Sequence, residues 1–316
     1  MRVCIVGLGA VGGLVGARLA GSGVAVSALA RGETLAAVRR DGLRLVGEGS
    51  YPILASDDVA DLGTPDVVVL SVKTTALPAV AEQVGALAGP DTTVLSMTNG
   101  VPWWFFDGLD TRPEVPSLRA AAMAPIPRGS ILGSVTHLSA SRPAPGVVEC
   151  RFLERLVVGE PRGDVSDRAV NLARVLSDAG LPTEVSPRIQ ADIWFKLWGN
   201  MTMNPLSAIT GATMDLILDD PLTRAFASRC MSEAAAVGAA IGLPLDTTPE
   251  ERHVVTRRLG AARTSMLQDV EAGRAVELDA LVTSVVETGR AVGVATPELE
   301  TLLGLARLHA RVRGLF

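Results

Sequence analysis

The sequence predicts an α/β domain followed by an all-α domain, and two observations predict it. Apolar, β-branched runs bounded by glycine turns recur through the first half of the chain, as buried strands of a parallel sheet require. From Pro187 onward those runs stop and helical spacing of apolar residues takes over to the C-terminus. A change of this kind marks a domain boundary near 186–190, giving domains of 1–187 and 188–316.

The first element carries the most chemistry. Arg2 to Gly12 (RVCIVGLGAVG) reads as a buried strand running into a glycine turn and then a helix from Gly13 to Gly21. Gly7, Gly9 and Gly12 supply G-x-G-x-x-G. The first glycine permits the tight turn, the second lets a pyrophosphate approach the backbone, and the third lets helix pack on strand. The motif alone is weak. Directly after a strand and opening a helix, it identifies a Rossmann-type dinucleotide-binding domain, with the loop Gly7-Leu8-Gly9-Ala10-Val11-Gly12 against the cofactor.

The second strand, Val24 to Ala30, ends where an NAD site carries an acidic residue, and here Ala30 is followed by Arg31. A guanidinium there pairs with a 2′-phosphate and favours NADP, although Glu33 stands close by and the stretch also holds Arg39 and Arg40. Asp66 to Ser71 and Thr93 to Met97 are two further buried strands. They deliver Lys73 and Asn99 to the carboxyl edge of the sheet, where ligands of open α/β sheets sit. Residues 101–130 read as irregular, and the adjacent Trp103 and Trp104 brace that loop or wall a pocket. Gly133 to Ser139 and Gly146 to Glu160 read as extended, Asp167 to Ala179 as a helix and Pro182 to Val185 as a short strand.

Beyond Pro187 the helices are expected at Ala191–Thr210, Thr223–Ile241, Pro249–Leu259, Ala261–Ala272, Glu277–Val292 and Pro297–Val312. The first has two chemically different faces: Lys196, Asn200, Met203 and Asn204 on one, Trp194, Trp198 and Met201 on the other. Pro205 places Asn204 where the helix kinks or ends. Among 29 Lys plus Arg only Lys73 and Lys196 are lysines, so a chain that otherwise uses Arg keeps the compact, pKa-shiftable ammonium at two places. The flanking Trp194, Phe195, Leu197 and Trp198 make Lys196 the stronger functional candidate of the two.

Whole-chain composition narrows the partners. A hydrophobic share of 48% with 20% charged residues excludes a disordered chain, and the net charge of −5 without a basic run excludes a dedicated nucleic-acid binder. Cys4, Cys150 and Cys230 are odd in number and far apart, which suits a reduced, cytoplasmic protein. His137, His253 and His309 are scattered, so no metal site is expected. The glycine-rich N-terminus is too short to span a membrane. Small molecules are the expected partners, and a homodimer is left open.

With these pieces in place the chain resembles the ketopantoate reductase (2-dehydropantoate 2-reductase) family over nearly its full length. The motifs that carry the likeness are the glycine fingerprint with Arg31, Val72-Lys73, Asn99-Gly100, Lys196 with Asn200 and Asn204-Pro205-Leu206, and Thr264 to Asp269 with Glu277 beyond. The resemblance implies NADPH-dependent reduction of a 2-oxo acid to a 2-hydroxy acid at a cleft between the domains. It makes Lys196 the general acid, Glu277 a carboxylate beside cofactor and substrate, Asn200, Asn204 and Ser265 substrate-binding residues, Asn99 a residue touching both ligands, and Lys73 a cofactor-side lysine. Two departures concern substrate: Met214 stands where some members carry an asparagine, and Pro102-Trp103-Trp104 where many have a small residue. Both point to a more apolar or bulkier pocket. Besides a ketopantoate reductase, the residues admit a relative acting on another branched or aromatic 2-oxo acid, or an NADPH-binding sensor without catalysis.

Overall fold

The computed structural model describes residues 1–120 and 125–316, which form two compact units. The first holds the described residues of Met1–Thr98 and Met123–Asp192, the second those of Asn99–Ala122 and Ile193–Phe316.

The first unit is built on one ten-stranded sheet. Its strands are β1 (Arg2–Val6), β2 (Ala25–Leu29), β3 (Leu43–Leu45), β4 (Gly49–Tyr51), β5 (Leu54–Ser56), β6 (Val67–Leu70), β7 (Thr93–Ser96), β8 (Ile131–Ala144), β9 (Val147–Gly159) and β10 (Thr183–Val185). They run in the order β4-β3-β9-β8-β7-β6-β1-β2-β5, with β10 on β9. From β5 to β8 every pairing is parallel, and β8 and β9 form an antiparallel hairpin closed by Gly146 at φ 71°. The β-branched composition of the central strands follows from burial on both faces: every residue of β6 and β7 is buried. Strand β1 lies between β2 and β6, so the strand order reverses there and the carboxyl ends of these strands form the topological switch point.

Helices α1 (Ala10–Gly21), α2 (Gly32–Asp41), α3 (Ala81–Leu87) and α5 (Asp167–Asp178) belong to this unit, while α4 (Pro116–Ala120) belongs to the second. Ile5, Leu14, Leu19, Leu43, Val69 and Leu95 form the centre of the first core. Helix α1 starts three residues before the expected Gly13, because Gly13 N–H already bonds to the Gly9 carbonyl at 2.9 Å. The 101–130 stretch is not wholly irregular: it holds α4 and a 3₁₀ turn at Phe105–Gly108.

The second unit contains no strand among its described residues. It is made of α6 (Ile189–Thr210), whose first turn lies in the first unit, then α7 (Met214–Asp219), α8 (Pro221–Ala240), α9 (Pro249–Arg257), α10 (Ser265–Glu271), α11 (Ser284–Ala291) and α12 (Pro297–Val312). The helix expected over Ala191–Thr210 is α6, which continues through Pro205 to Thr210 and does not end at Asn204. Two expectations are corrected here. The helix expected from Ala261 starts at Ser265, because Thr264 is the N-cap and its hydroxyl accepts from Leu267 N–H at 3.1 Å. The helix expected from Glu277 opens instead with a π segment, Asp279–Thr283, before α11. The Ala280 carbonyl, which a regular α-helix would pair with Ser284 N–H, accepts from Val101 N–H at 2.8 Å and Ser284 Oγ at 3.0 Å. Among the described residues no helix is long and apolar enough to cross a membrane.

Candidate active site

The glycine turn comes first. Gly7 has φ 103°, a conformation that only glycine adopts without strain, and its Cα lies against Val72 and Ser71. A Cβ on Gly12 would overlap Ser71 Oγ and the Gly7 carbonyl, so the third glycine is required by packing. A Cβ on Gly9 would meet nothing within 4 Å. Gly9 is the N-cap of α1, with no side chain capping the helix and no acid in its first turn. The unspent N–H groups of the helix start, with open space above Gly9, fit a pyrophosphate. Leu8 is buried, whereas Ala10 and Val11 are half-buried.

Ser71 is a residue the sequence reasoning passed over. Its hydroxyl donates to the Gly7 carbonyl at 2.9 Å and lies 3.3 Å from the Val6 carbonyl, clamping the glycine turn to the end of β6. Its only sequence signal is a hydroxyl residue closing a buried strand just before Val72-Lys73. Lys73 follows, half-buried, and its carbonyl accepts from Ala76 N–H at 2.9 Å.

At the end of β2, Ala30 is buried and its N–H bonds to the Ser56 carbonyl. Arg31 is the exposed N-cap residue of α2. The neighbouring arginines are occupied in the fold: Arg39 donates to the Ala55 carbonyl at 2.9 Å, and Arg40 pairs with Asp41. Arg31 takes no ion-pair partner among the described residues and stands beside the switch point, with Glu33 two residues on in the first turn of α2. Of this arginine cluster it is the member with a charge to offer a ligand.

In the second unit α6 sorts its faces by burial. Trp194, Trp198 and Met201 are fully buried, Trp198 Nε1 donates to the Met231 carbonyl of α8 at 2.6 Å, and the Trp194 ring packs tilted against Phe105 with centroids 6.0 Å apart. Trp104 is 1% exposed and Trp103 6%, so these two form core and cannot wall an open pocket. On the other side of α6, Lys196 and Asn200 are half-buried while Met203 and Asn204 are buried. Burial lowers the Lys196 pKa from 10.5 to about 8, and the Glu277 carboxylate opposes that shift. Asn204 Nδ2 is buried with no acceptor. A buried amide donor of that kind calls for a partner that the described residues do not supply.

The π segment places two more of the expected residues. Glu277 is half-buried just before it, and the Asn99-Gly100-Val101 turn is pinned to it by the Val101 to Ala280 bond. Gly100, at φ 78°, has its Cα so close to the Ala280 carbonyl that a Cβ would clash with it. Lys196, Glu277 and the Asn99 turn are therefore assembled within one unit, together with Asn200 and Asn204. Ser265 is exposed at the first position of α10. Half-buried Met214, at the start of α7, bonds through its N–H to the Ala262 carbonyl of the segment leading to Ser265. Gly7 to Gly12, Arg31 and Lys73 are grouped in the other unit.

This grouping agrees with the relatives of the chain. The family model "Ketopantoate reductase PanE/ApbA" matches residues 3–163, and "Ketopantoate reductase PanE/ApbA C terminal" matches residues 188–310. The 2-dehydropantoate 2-reductase of Mesorhizobium japonicum is 39% identical over 325 residues, covering 100% of both chains. A crystal structure from Ralstonia solanacearum MolK2 superposes with a TM-score of 0.94 at 50% identity, over 100% of this chain and 99% of that one. The 2-dehydropantoate 2-reductase from Methylococcus capsulatus does so with a TM-score of 0.84 at 27% identity, over 99% and 98%. Such matches along both units leave one conclusion: the chain belongs to the ketopantoate reductase family of NADPH-using oxidoreductases.

Proposed function

We propose that this protein reduces the keto group of 2-dehydropantoate to the hydroxyl of pantoate, with NADPH as reductant and Lys196 as general acid. In this reading residues 1–187 bind the cofactor and 188–316 bind and activate the substrate. One observation carries it: a half-buried lysine with its pKa lowered to about 8 stands on the same face of α6 as Asn200 and the orphaned Asn204 amide, under the influence of Glu277. A lysine in that range is a proton donor suited to neutral pH.

Gly7 to Gly12 with the α1 N-terminus would hold the pyrophosphate of NADPH and Arg31 its 2′-phosphate, with Lys73 and Asn99 as further cofactor contacts. The cofactor, when bound, would supply the hydride that the keto carbon takes. As charge develops on the keto oxygen, the Lys196 ammonium stabilises it and passes it a proton, leaving a neutral amine that water reprotonates. Glu277 holds charge on Lys196 and orients it. Asn204 donates its free N–H to the substrate, Asn200 adds a second amide, and the exposed Ser265 hydroxyl meets the carboxylate.

Met214 favours a second reading within the same chemistry. A half-buried thioether whose own N–H is already spent offers no strong group to a substrate hydroxyl, which suits a branched 2-oxo acid lacking one. The test is NADPH oxidation with ketopantoate and a panel of 2-oxo acids, in the wild type and in Lys196→Ala and Lys196→Arg. Lys196→Ala is expected to lower kcat by about 10² to 10⁴ with NADPH binding retained. Arg is expected to leave it low, since a guanidinium keeps its proton near neutral pH. Turnover of no 2-oxo acid by a wild type that binds NADPH would instead favour the sensor.

A further inference from the structure

We propose that Arg252 is a specificity-determining residue that holds the carboxylate of the 2-oxo acid beside Lys196, an inference that rests on the reductase reading and adds a residue to it. Arg252 lies on α9, with its side chain against α6. Its guanidinium carbon is 5.0 Å from the centroid of the Phe195 ring. A Cβ on Gly199 would stand 3.1 Å from Arg252 Nη2 and 3.3 Å from Nε, so the missing side chain at 199 is what lets the guanidinium lie down on the helix. Phe195 and Gly199 are four residues apart and form one stripe of α6. Lys196 and Asn200 are the residues immediately after each and form the adjoining stripe, about 100° round the helix. The cation is thus laid along the edge of the face that carries the proton donor.

Its surroundings contain no counter-ion. Arg252 is half-buried, its Nε is fully buried without an acceptor, and it takes no ion pair among the described residues. Burial alone lowers its pKa, with no carboxylate close enough to oppose the effect. Several arginines of this unit are paired, Arg229 with Glu298, Arg257 with Asp219, Arg263 with Glu271 and Arg274 with Asp269. The acid next to Arg252 in sequence is spent elsewhere, since Glu251 Oε2 accepts from Thr248 N–H at 2.8 Å and Thr247 Oγ1 at 3.0 Å in the capping box of α9. A charge drawn out of water without a partner is costly, and a ligand anion removes the cost. The planar fork of Arg, anchored over the Phe195 ring, matches a carboxylate through two parallel N–H···O bonds.

The experiment compares wild type, Arg252→Gln, Arg252→Lys and Gly199→Ala by steady-state kinetics with ketopantoate and NADPH. It adds calorimetric titration of oxalate, a dianion with no reducible carbonyl, into each NADPH-saturated protein. Arg252→Gln is expected to raise KM about 10- to 100-fold with kcat little changed, and to weaken oxalate by a similar factor. Arg252→Lys should recover part of both losses, and Gly199→Ala, which crowds the guanidinium while keeping it, should move both the same way. Unchanged KM and oxalate affinity in Arg252→Gln, or a lower Tm as the only effect, would overturn the proposal. Should Arg252→Gln not fold, normal KM and oxalate binding in both Arg252→Lys and Gly199→Ala would overturn it too. A wild type that turns over no 2-oxo acid defeats the reductase reading while the oxalate titration still decides Arg252. A wild type that binds no oxalate defeats the anion site.

Discussion

Replacing Glu277 with Gln is expected to move the alkaline limb of the pH–rate profile toward lower pH, in a direction fixed by the electrostatics of Lys196. Burial brings that lysine from 10.5 to about 8, and Glu277 pulls the other way. The gap corresponds to about 3 kcal/mol in favour of the neutral amine, at about 1.4 kcal/mol per pH unit. Because the proposed donor is the ammonium, kcat/KM of the wild type should be level near pH 7 and fall about tenfold per unit above about pH 8. A fully solvated lysine would hold its limb near 10.4. Removing the Glu277 carboxylate removes the opposing influence, so the limb drops below 8 and activity at pH 7 falls with it. The assay is initial-rate NADPH oxidation from pH 6 to 10 at constant ionic strength. A wild-type limb near 10.4, or a limb that Glu277→Gln leaves in place, would refute the reasoning.

The same shift makes a claim on stability. Between about 8 and 10.5 the unfolded chain binds the Lys196 proton and the folded chain does not, so this group's contribution rises with pH across that window. Below about pH 8 the folded protein carries the full cost of the buried ammonium. Lys196→Met should therefore be more stable than the wild type at pH 7, by up to about 3 kcal/mol. That advantage should fade as pH approaches 10.5. A lysine kept only as a strut for Glu277 would give the opposite sign in the same denaturation curves.

Three further outcomes are expected. Arg31→Ala should weaken NADPH binding about tenfold or more and leave NADH nearly unchanged, because one charge-assisted contact to the 2′-phosphate is lost; equal losses for both cofactors in a fluorescence titration would make Arg31 structural. Gly9→Ala should keep its Tm while losing NADPH affinity, because its Cβ enters open space, whereas Gly12→Ala should lower stability by about 1 to 3 kcal/mol through overlap with Ser71 and Gly7; similar melting curves for the two variants would contradict the packing. Discrimination in kcat/KM between ketopantoate and 2-oxoisovalerate should fall short of about 10⁴, the scale of a site that reads a hydroxyl, and Met214→Asn should increase it; a wild type already at that scale would show that Met214 does not matter.

What the sequence disclosed follows a physical pattern. The strand, glycine turn and helix from Arg2 to Gly21 were legible because the reasons for them are local: β-branched residues for a strand buried on both faces, and glycines where φ or a close approach demands them. Lys196 was legible because its type is rare in the chain and its flanks are apolar. The strands β3, β4 and β5, of three residues each, were not. Helix α6 runs through Pro205 because burial of Trp194, Trp198 and Met201 outweighs one missing N–H.

Two further differences are non-local. Residues 99–122 join the helical unit, and the expected helix at Glu277 opens with a π segment before α11; the bond from Val101 N–H to the Ala280 carbonyl ties the two together. No window around either residue could contain that bond, yet it is what brings the Asn99 turn to the segment following Glu277. Arg252 has the same character. In the sequence it is one cation among many, and it becomes a candidate only when Gly199 makes room for it and the adjacent Glu251 carboxylate turns to the α9 capping box. A motif shows which groups the chemistry requires. Which groups the fold leaves unsatisfied depends on partners brought from distant parts of the chain, and on α6 and its neighbour α9 they include the Asn204 amide and Arg252 Nε, beside Trp194 Nε1 and His253 Nδ1.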